Sequence, residues 1–218
     1  MKIRERDYLR WMSPHLNINF DSKILDVGSG SGKLLVKMKS FGFKNLTGID
    51  PFLAEDGIQQ PGLNVFKKDL FQVKEKYDLI MLHHSFEHME SPLKVFQHLA
   101  NLLNPKGVLL IRIPVADSYA FRTYGIHWVE LDAPRHYFLH TKKSINHLAG
   151  QNGLKVNHIS FDSTHFEIIG SERYVKGLTF SDPNTIFTKE DKKKIAAQVE
   201  KLNQNQDASR ACFYLVKS

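Results

Sequence analysis

The chain has 218 residues, 42% apolar, 24% charged and 11% aromatic, which excludes a disordered chain and gives length for one large domain burying about 70% of its unfolded surface. Its single cysteine, Cys212, excludes an internal disulfide and a cysteine-rich zinc cage. Thirty basic against twenty-three acidic side chains leave a formal +7, which admits an acidic partner without requiring one.

The charged segment Lys2 to Trp11 offers Ile3, Tyr8, Leu9 and Trp11 to one helical face, so a docking N-terminal helix is expected within residues 1–20. No secretory h-region follows Met1, and no apolar run approaches the roughly 18 residues that span a bilayer, so a cytoplasmic chain without a membrane span is expected. From Lys23 onward, short apolar or β-branched runs alternate with helical patterns, the signature of βα units on a parallel sheet. Lys23–Val27 reads as a buried strand stopped by Gly28, and Leu34, Leu35, Met38 and Phe41 give the next helix its apolar face. Strands are expected at Asn45–Ile49, Asn64–Lys67 and Tyr77–Leu82. After Pro92, Leu93, Phe96, Leu99, Ala100 and Leu103 repeat at three and four, until Asn104-Pro105-Lys106-Gly107 stops the helix. Further strands are read at Val108–Ile113, Leu154–Ser163 and Ala211–Val216, with a Thr141-capped helix ending at Asn152-Gly153. Thr188 caps a helix to about Gln204 inside an enlarged excursion, about 164–206, before the last strand. Its triplet Lys192, Lys193 and Lys194 lies among Glu190, Asp191 and Glu200 and reads as a solvated face, so nucleic acid is not expected as a partner. Residues 1–218 are thus read as a single domain carrying that insertion.

Gly28-Ser29-Gly30-Ser31-Gly32 falls between a strand and a helix, where absent side chains permit a tight turn and let a ligand lie against the backbone. Asp50 closes the second strand about eighteen residues later, placed for a carboxylate to accept bonds from two ribose hydroxyls. The dinucleotide spacing G-x-G-x-x-G is missed because Lys33 stands where its third glycine belongs, and the phosphate-loop spacing because Val27 and Leu34 occupy its required positions.

Ile24-Leu25-Asp26-Val27-Gly28-Ser29-Gly30-Ser31-Gly32 and Gly48-Ile49-Asp50-Pro51 resemble the first two motifs of class I S-adenosylmethionine-dependent methyltransferases. Lys68-Asp69-Leu70, Tyr77-Asp78-Leu79-Ile80 and Leu103–Ile111 resemble the motifs that follow, and Glu87-His88 is similar to the pair after the fourth strand in the ubiquinone-biosynthesis-like subgroup. The resemblance implies a Rossmann-like α/β fold with a seven-stranded, mostly parallel sheet in the order 3-2-1-4-5-7-6, strand 7 antiparallel. It implies S-adenosyl-L-methionine as cofactor and S-adenosyl-L-homocysteine as product. Carried onto this chain, Gly28, Gly30 and Gly32 would bound the methionine and ribose, Asp50 the ribose hydroxyls, and Asp69 with Leu70 the adenine. Asp26 would orient the methionine amino group, Phe52 would pack near the adenine, and the His83 backbone would meet the cofactor.

His83-His84-Ser85-Phe86-Glu87-His88 contains H-x-x-E-H, a zinc-ligand pattern when it lies on a helix. Here it directly follows a buried strand and lacks a third ligand, so no metal is assigned. His84 and His88 either satisfy local hydrogen bonds or face the reacting methyl. The stretch Gly125–Phe138 is a long connection rich in aromatics with Arg135, His127 and His136, which suits a substrate-binding loop or a cap on the core. His88, His136 and Arg135 are the candidate catalytic residues, the histidines because an imidazole can take a proton near neutrality. Cys212 is expected in the core and not as a nucleophile. The expected activity is methyl transfer to an oxygen or nitrogen of a small-molecule acceptor. A nicotinamide-dinucleotide oxidoreductase and a non-catalytic S-adenosylmethionine-binding protein remain alternatives.

Overall fold

The computed structural model describes residues 11, 16, 18–179, 182 and 187–218. The expected N-terminal helix lies outside them, apart from Trp11 and Leu16, whose side chains are buried in the core.

Eight strands form one sheet. They are β1 (Lys23–Val27), β2 (Asn45–Ile49), β3 (Gln59–Gln60), β4 (Leu63–Phe66), β5 (Tyr77–His83), β6 (Leu103–Pro114), β7 (Leu154–Phe161) and β8 (Arg210–Lys217). Their order is β3-β4-β2-β1-β5-β6-β8-β7. β1, β2, β4, β5 and β6 pair in parallel, and β8 runs antiparallel between β6 and β7. Leaving aside β3, this is the expected seven-strand order; the correction is the eighth strand, β3, which pairs antiparallel with β4 at the sheet edge. Both of its glutamines are exposed, so it carries no apolar pattern from which it could have been read.

The central strands are largely apolar because helices cover both faces. Leu25, Val27, Ile80 and Leu82 join one core cluster with Val95, Phe96 and Leu99 of α2 (Pro92–Leu102) and with Ile145 and Ala149 of α4 (Lys142–Gln151). Ile24, Leu79 and Met81 face the opposite cluster, with Leu35 and Met38 of α1 (Lys33–Ser40) and with Trp11. Cys212 is fully buried there, as expected, and burial pushes its thiol up to about 12.

Local chemistry sets the helix ends. Thr141 Oγ1 accepts the Ser144 N–H at 3.0 Å, and Thr188 Oγ1 accepts the Asp191 N–H at 3.1 Å, satisfying orphan donors at the starts of α4 and of α6 (Lys189–Gln204). Lys192, Lys193 and Lys194 are exposed on α6, with Lys194 paired to Glu190 at 2.8 Å. Two short helices fall outside the sequence reading: α3 (Tyr119–Tyr124), and α5 (Phe166–Val175) inside the excursion. Winding from β1 runs through β2 to β4 on one side and resumes through β5 to β6 on the other, so the carboxyl ends of β1 and β5 flank a topological switch point, where open α/β sheets bind ligands.

Candidate active site

At that switch point the glycine loop is tied to the end of β2, because the N–H groups of Gly28 and Ser29 both donate to the Ile49 carbonyl, at 2.8 and 3.1 Å. Gly28, Gly30 and Gly32 have φ of 76°, 51° and 77°, a region that side chains disfavour. The three differ in purpose. A Cβ on Gly28 would stand 2.6 Å from Ser85 Cβ, and one on Gly32 2.6 Å from Val65 Cγ2, so these two let the chain pack. A Cβ on Gly30 would meet nothing within 4 Å. Open space therefore lies over Gly30, bordered by a carboxylate: Asp50 Oδ2 accepts the Gly30 N–H and Oδ1 the Phe52 N–H, both at 2.9 Å. Each oxygen is held by one backbone donor and retains acceptor capacity for a hydroxyl.

Asp26, one residue before the end of β1, is 3% exposed, and burial first and then the Asp50 charge push its carboxyl up to about 7. A buried carboxylate at the mouth of a crevice is suited to an ammonium, which would compensate its charge. Phe52 is 93% exposed, leaving its ring free for a planar ligand. Asp69 caps the 3-10 turn Leu70–Gln72 by accepting the Phe71 N–H at 2.8 Å. The Leu70 side chain belongs to the core, so Leu70 can offer a ligand its backbone alone. His83 ends β5 with its ring 4.6 Å from Trp11; Nε2 is buried without a hydrogen bond, and burial holds its pKa well below the ordinary value. These residues fit a nucleoside bearing a cationic amino-acid arm: bare backbone at Gly30, a sugar-binding carboxylate at Asp50 and a buried acid at Asp26.

The second half of the site begins at Ser85, which packs on Gly28 and donates from Oγ to the Val27 carbonyl at 2.8 Å. His84 before it takes φ 51°, and its N–H donates to the Arg112 carbonyl at 2.9 Å. A 3-10 turn, Phe86–His88, follows in place of the helix a zinc-protease pattern requires. Glu87 is 1% exposed. From the long connection come His136 and Arg135. The His88 and His136 ring centroids are 4.8 Å apart. His88 Nδ1 lies 2.8 Å from the Arg135 carbonyl and His136 Nδ1 2.8 Å from the Glu130 carbonyl. A carbonyl only accepts, so each ring donates from Nδ1, which in the neutral imidazole leaves Nε2 as the acceptor. The Arg135 guanidinium points to solvent, 74% exposed, and donates to Asp132 from Nε at 3.1 Å.

The connection is braced by α5: Tyr124 Oη donates to Glu172 Oε1 at 3.0 Å, and the Val129 N–H donates to Ser171 Oγ at 3.0 Å. Trp128 is 1% exposed and serves the core, whereas Ile126, Tyr137 and Phe138 remain exposed. Sequence reading missed Ser85, Ser171 and Glu172, since each acts through a contact distant in the chain. A cavity of ≈ 420 Å³ lined by Lys39, Phe43, Lys44 and Gly62 opens at the amino ends of β2 and β4, away from this site.

The fold and the crevice define a Rossmann-like α/β protein with a ligand crevice at the switch point of its sheet. A family model described as a methyltransferase domain matches residues 3–159, and the chain belongs to that family, the S-adenosylmethionine-dependent class I methyltransferases. The cofactor of that class is S-adenosylmethionine.

Human EEF1A lysine methyltransferase 2 is 40% identical over 70 residues, covering 32% of this chain and 28% of that protein. Ubiquinone biosynthesis O-methyltransferase from Actinobacillus pleuropneumoniae is 34% identical over 116 residues, covering 46% and 49%. The matched stretches thus span half or less of these curated relatives. Among solved structures, a SAM-dependent methyltransferase from Archaeoglobus fulgidus superimposes with TM-score 0.58 at 18% identity, covering 97% of this chain and 91% of that one. An O-methyltransferase from a Brevibacillus brevis multienzyme, in complex with S-adenosyl-L-homocysteine, gives 0.59 at 18% identity over 95% and 72%. These structures share the fold. Among the described residues, no helix is long and apolar enough to cross a membrane.

Proposed function

We propose that the chain transfers a methyl group from S-adenosylmethionine to an oxygen or nitrogen of a small-molecule acceptor, acting as a single domain whose excursion forms part of the acceptor side. The cofactor supplies an electrophilic methyl on a sulfonium. The turn Gly28 to Gly32 bounds its methionine and ribose part, with Gly30 open to it and Gly28 and Gly32 packing the turn in place; Asp50 takes its ribose hydroxyls and Asp26 its ammonium. Asp69 and the Leu70 backbone take the adenine edge, with Phe52 over its face. The His83 backbone borders the methionine arm.

One observation carries the acceptor side: two imidazoles, His88 and His136, each with Nδ1 turned to a carbonyl and Nε2 left to accept. His88 stands in the turn after Ser85, which packs on the glycine loop, and His136 reaches it from the long connection. Methyl transfer is mainly a matter of holding nucleophile and methyl carbon in line, and Nε2 of either ring can take the proton a hydroxyl or ammonium must lose. Arg135 fixes His88 through its carbonyl and places a guanidinium at the rim. The exposed Ile126, Tyr137 and Phe138 give the acceptor apolar surface.

A protein-lysine acceptor is the second reading, supported by the likeness to EEF1A lysine methyltransferase 2. Labelled methyl donor, offered with a panel of small hydroxylated and aminated metabolites in one arm and purified elongation factor 1A in the other, tests both. Transfer to a small molecule that falls at least tenfold in His88→Ala, with homocysteine-product affinity retained, supports the first reading. Transfer to the protein alone refutes it.

A further inference from the structure

On its α1 face the sheet is apolar until the carboxyl ends of its parallel strands, where it turns charged. Leu79 and Met81 precede His83 on β5, Val108 and Leu110 precede Arg112 on β6, and Tyr214 and Cys212 lead back to Arg210 at the start of antiparallel β8. Each set shares a face because alternate strand residues do. His83 pairs with Arg112, and Arg112 with Cys212, on neighbouring strands. Asp26 follows Ile24 on the same face of β1, so Asp26 and Arg112 stand at one rim with β5 between them.

Arg112 and Arg210 share one carboxylate. Asp162, 6% exposed and just past β7, accepts Arg112 Nε on Oδ2 at 2.8 Å and Arg210 Nε on Oδ1 at 2.9 Å, and its carbonyl accepts Arg210 Nη2. Both carboxylate oxygens are thus committed, and two guanidinium charges face one acid. Glu167, the next acid, lies on the Arg210 side, where it accepts the Ser209 N–H. The excess charge falls on Arg112, whose side chain is only 15% exposed, a costly place for an uncompensated cation. Its Nη1 and Nη2 donate to nothing among the described residues, yet neither is sealed from solvent. Beside them His83 Nε2 is buried without a partner. Burial, and after it the Arg112 charge, keep that ring neutral, so it can offer an N–H there without adding charge.

We propose that Arg112 is an oxyanion subsite of the acceptor side, whose Nη1 and Nη2 receive two oxygens of a carboxylate or phosphate carried by the acceptor, with His83 Nε2 beside them. A planar guanidinium edge matches such an oxygen pair. Asp162, holding Nε, fixes the plane of the fork, and Arg210 anchors Asp162 from the other side. The inference rests on the methyl-transfer reading for what the ligand is used for, and narrows the acceptor to an acidic metabolite that also carries a hydroxyl or amine.

The test loads the full chain with S-adenosyl-L-homocysteine and titrates benzoate, phenyl phosphate and benzyl alcohol, which share a ring and differ in head group, with binding read by ligand-observed NMR. At least one of the two anions should bind about tenfold or more tighter than benzyl alcohol, and the tighter one identifies the head group. Arg112→Gln should erase that preference with benzyl alcohol and S-adenosyl-L-homocysteine affinities unchanged, and it should fold, because Asp162 keeps Arg210. Arg112→Lys retains the charge without the fork and should show a smaller preference than wild type; it carries the test if the Gln variant does not fold. Arg122→Gln, whose guanidinium already pairs with Asp207 at 2.7 and 2.8 Å, should bind as wild type. No preference for either anion in the wild type, or an undiminished one in the folded Arg112 variants, overturns the proposal. So does loss of S-adenosyl-L-homocysteine affinity in Arg112→Gln, which would give the guanidinium to the cofactor's own carboxylate. A wild-type chain that binds no S-adenosyl-L-homocysteine defeats the methyl-transfer reading instead, and the same titrations on the unloaded chain still decide the subsite.

Discussion

Asp26→Asn separates what the crevice requires from what the fold prefers. The variant keeps the size of the side chain and removes a carboxyl that burial pushes from 3.8 to about 7. Because the folded value lies above the unfolded one, the folded chain binds more protons between those pH values. Stability from this group is therefore greatest in acid and falls as pH rises toward 7. Linkage puts the penalty of the native Asp26 at about 2 kcal/mol at pH 5 and about 4 kcal/mol at pH 8. Asn escapes both, so its advantage should widen by about 2–3 kcal/mol from pH 5 to pH 8. Urea denaturation of the ligand-free chain at the two pH values reads this difference. The ligand should reverse the preference. An ammonium beside Asp26 favours the ionised acid, so affinity for S-adenosyl-L-homocysteine should rise about tenfold per pH unit up to about 7 in the wild type and stay flat in Asp26→Asn. A variant less stable than wild type at pH 8, or wild-type binding without that slope, would refute the assignment of Asp26 as a desolvated acid held for a cation.

Asp50→Ala should weaken homocysteine-product binding by about 1–3 kcal/mol, through loss of charged bonds to the ribose; calorimetry showing unchanged affinity would remove Asp50 from the site. Gly30→Val adds a branched side chain where φ is 51° and nothing else lies within 4 Å. It should abolish cofactor binding while costing the fold only about 1–2 kcal/mol of backbone strain, so a variant that binds normally contradicts the loop placement. His140 is held at about 4, chiefly by burial, below its unfolded value, so its contribution is intact above pH 6.5 and lost as pH falls. About 3 kcal/mol should disappear between pH 7 and pH 4; a His140→Phe chain with the same acid sensitivity as wild type would show that another group is responsible.

What could be read from sequence was what is local. β1 announces itself as a short apolar run ended by glycine, and Thr141 and Thr188 cap their helices with bonds spanning three residues. The glycine loop and Asp50 are legible for the same reason: loop, strand end and carboxylate belong to one βαβ unit. α5 was not legible because its buried face is partly polar. Glu167 and Ser171 are buried there, Glu167 accepting the Ser209 N–H at 2.8 Å, so apolar periodicity is broken where packing is tightest. The histidine pair was only half legible for a related reason. His88 and His136 were found as residue types, but the carbonyls that set their tautomers belong to backbone, and no residue name encodes that. Glu87 was visible beside His88, yet its burial without a hydrogen bond is a property of the assembled turn.

The excursion before β8 bears on the site through a short mechanical route. Ser171 Oγ accepts the Val129 N–H, Val129 begins the 3-10 turn Val129–Leu131, and Glu130 within that turn supplies the carbonyl that fixes His136 Nδ1. Ser171 Oγ in turn donates to the Glu167 carbonyl at 2.6 Å, which anchors it to its own helix. Ser171→Ala leaves the Val129 N–H buried without its acceptor, at a cost of about 1–3 kcal/mol. The turn can escape that cost only by moving, and movement carries the Glu130 carbonyl away from the imidazole. The expected result is a split: product affinity at the glycine loop is retained, since no bond joins that loop to α5, while turnover falls and limited proteolysis within 125–131 quickens. If kcat and proteolysis are unchanged, α5 does not hold His136, and the excursion is outside the acceptor machinery.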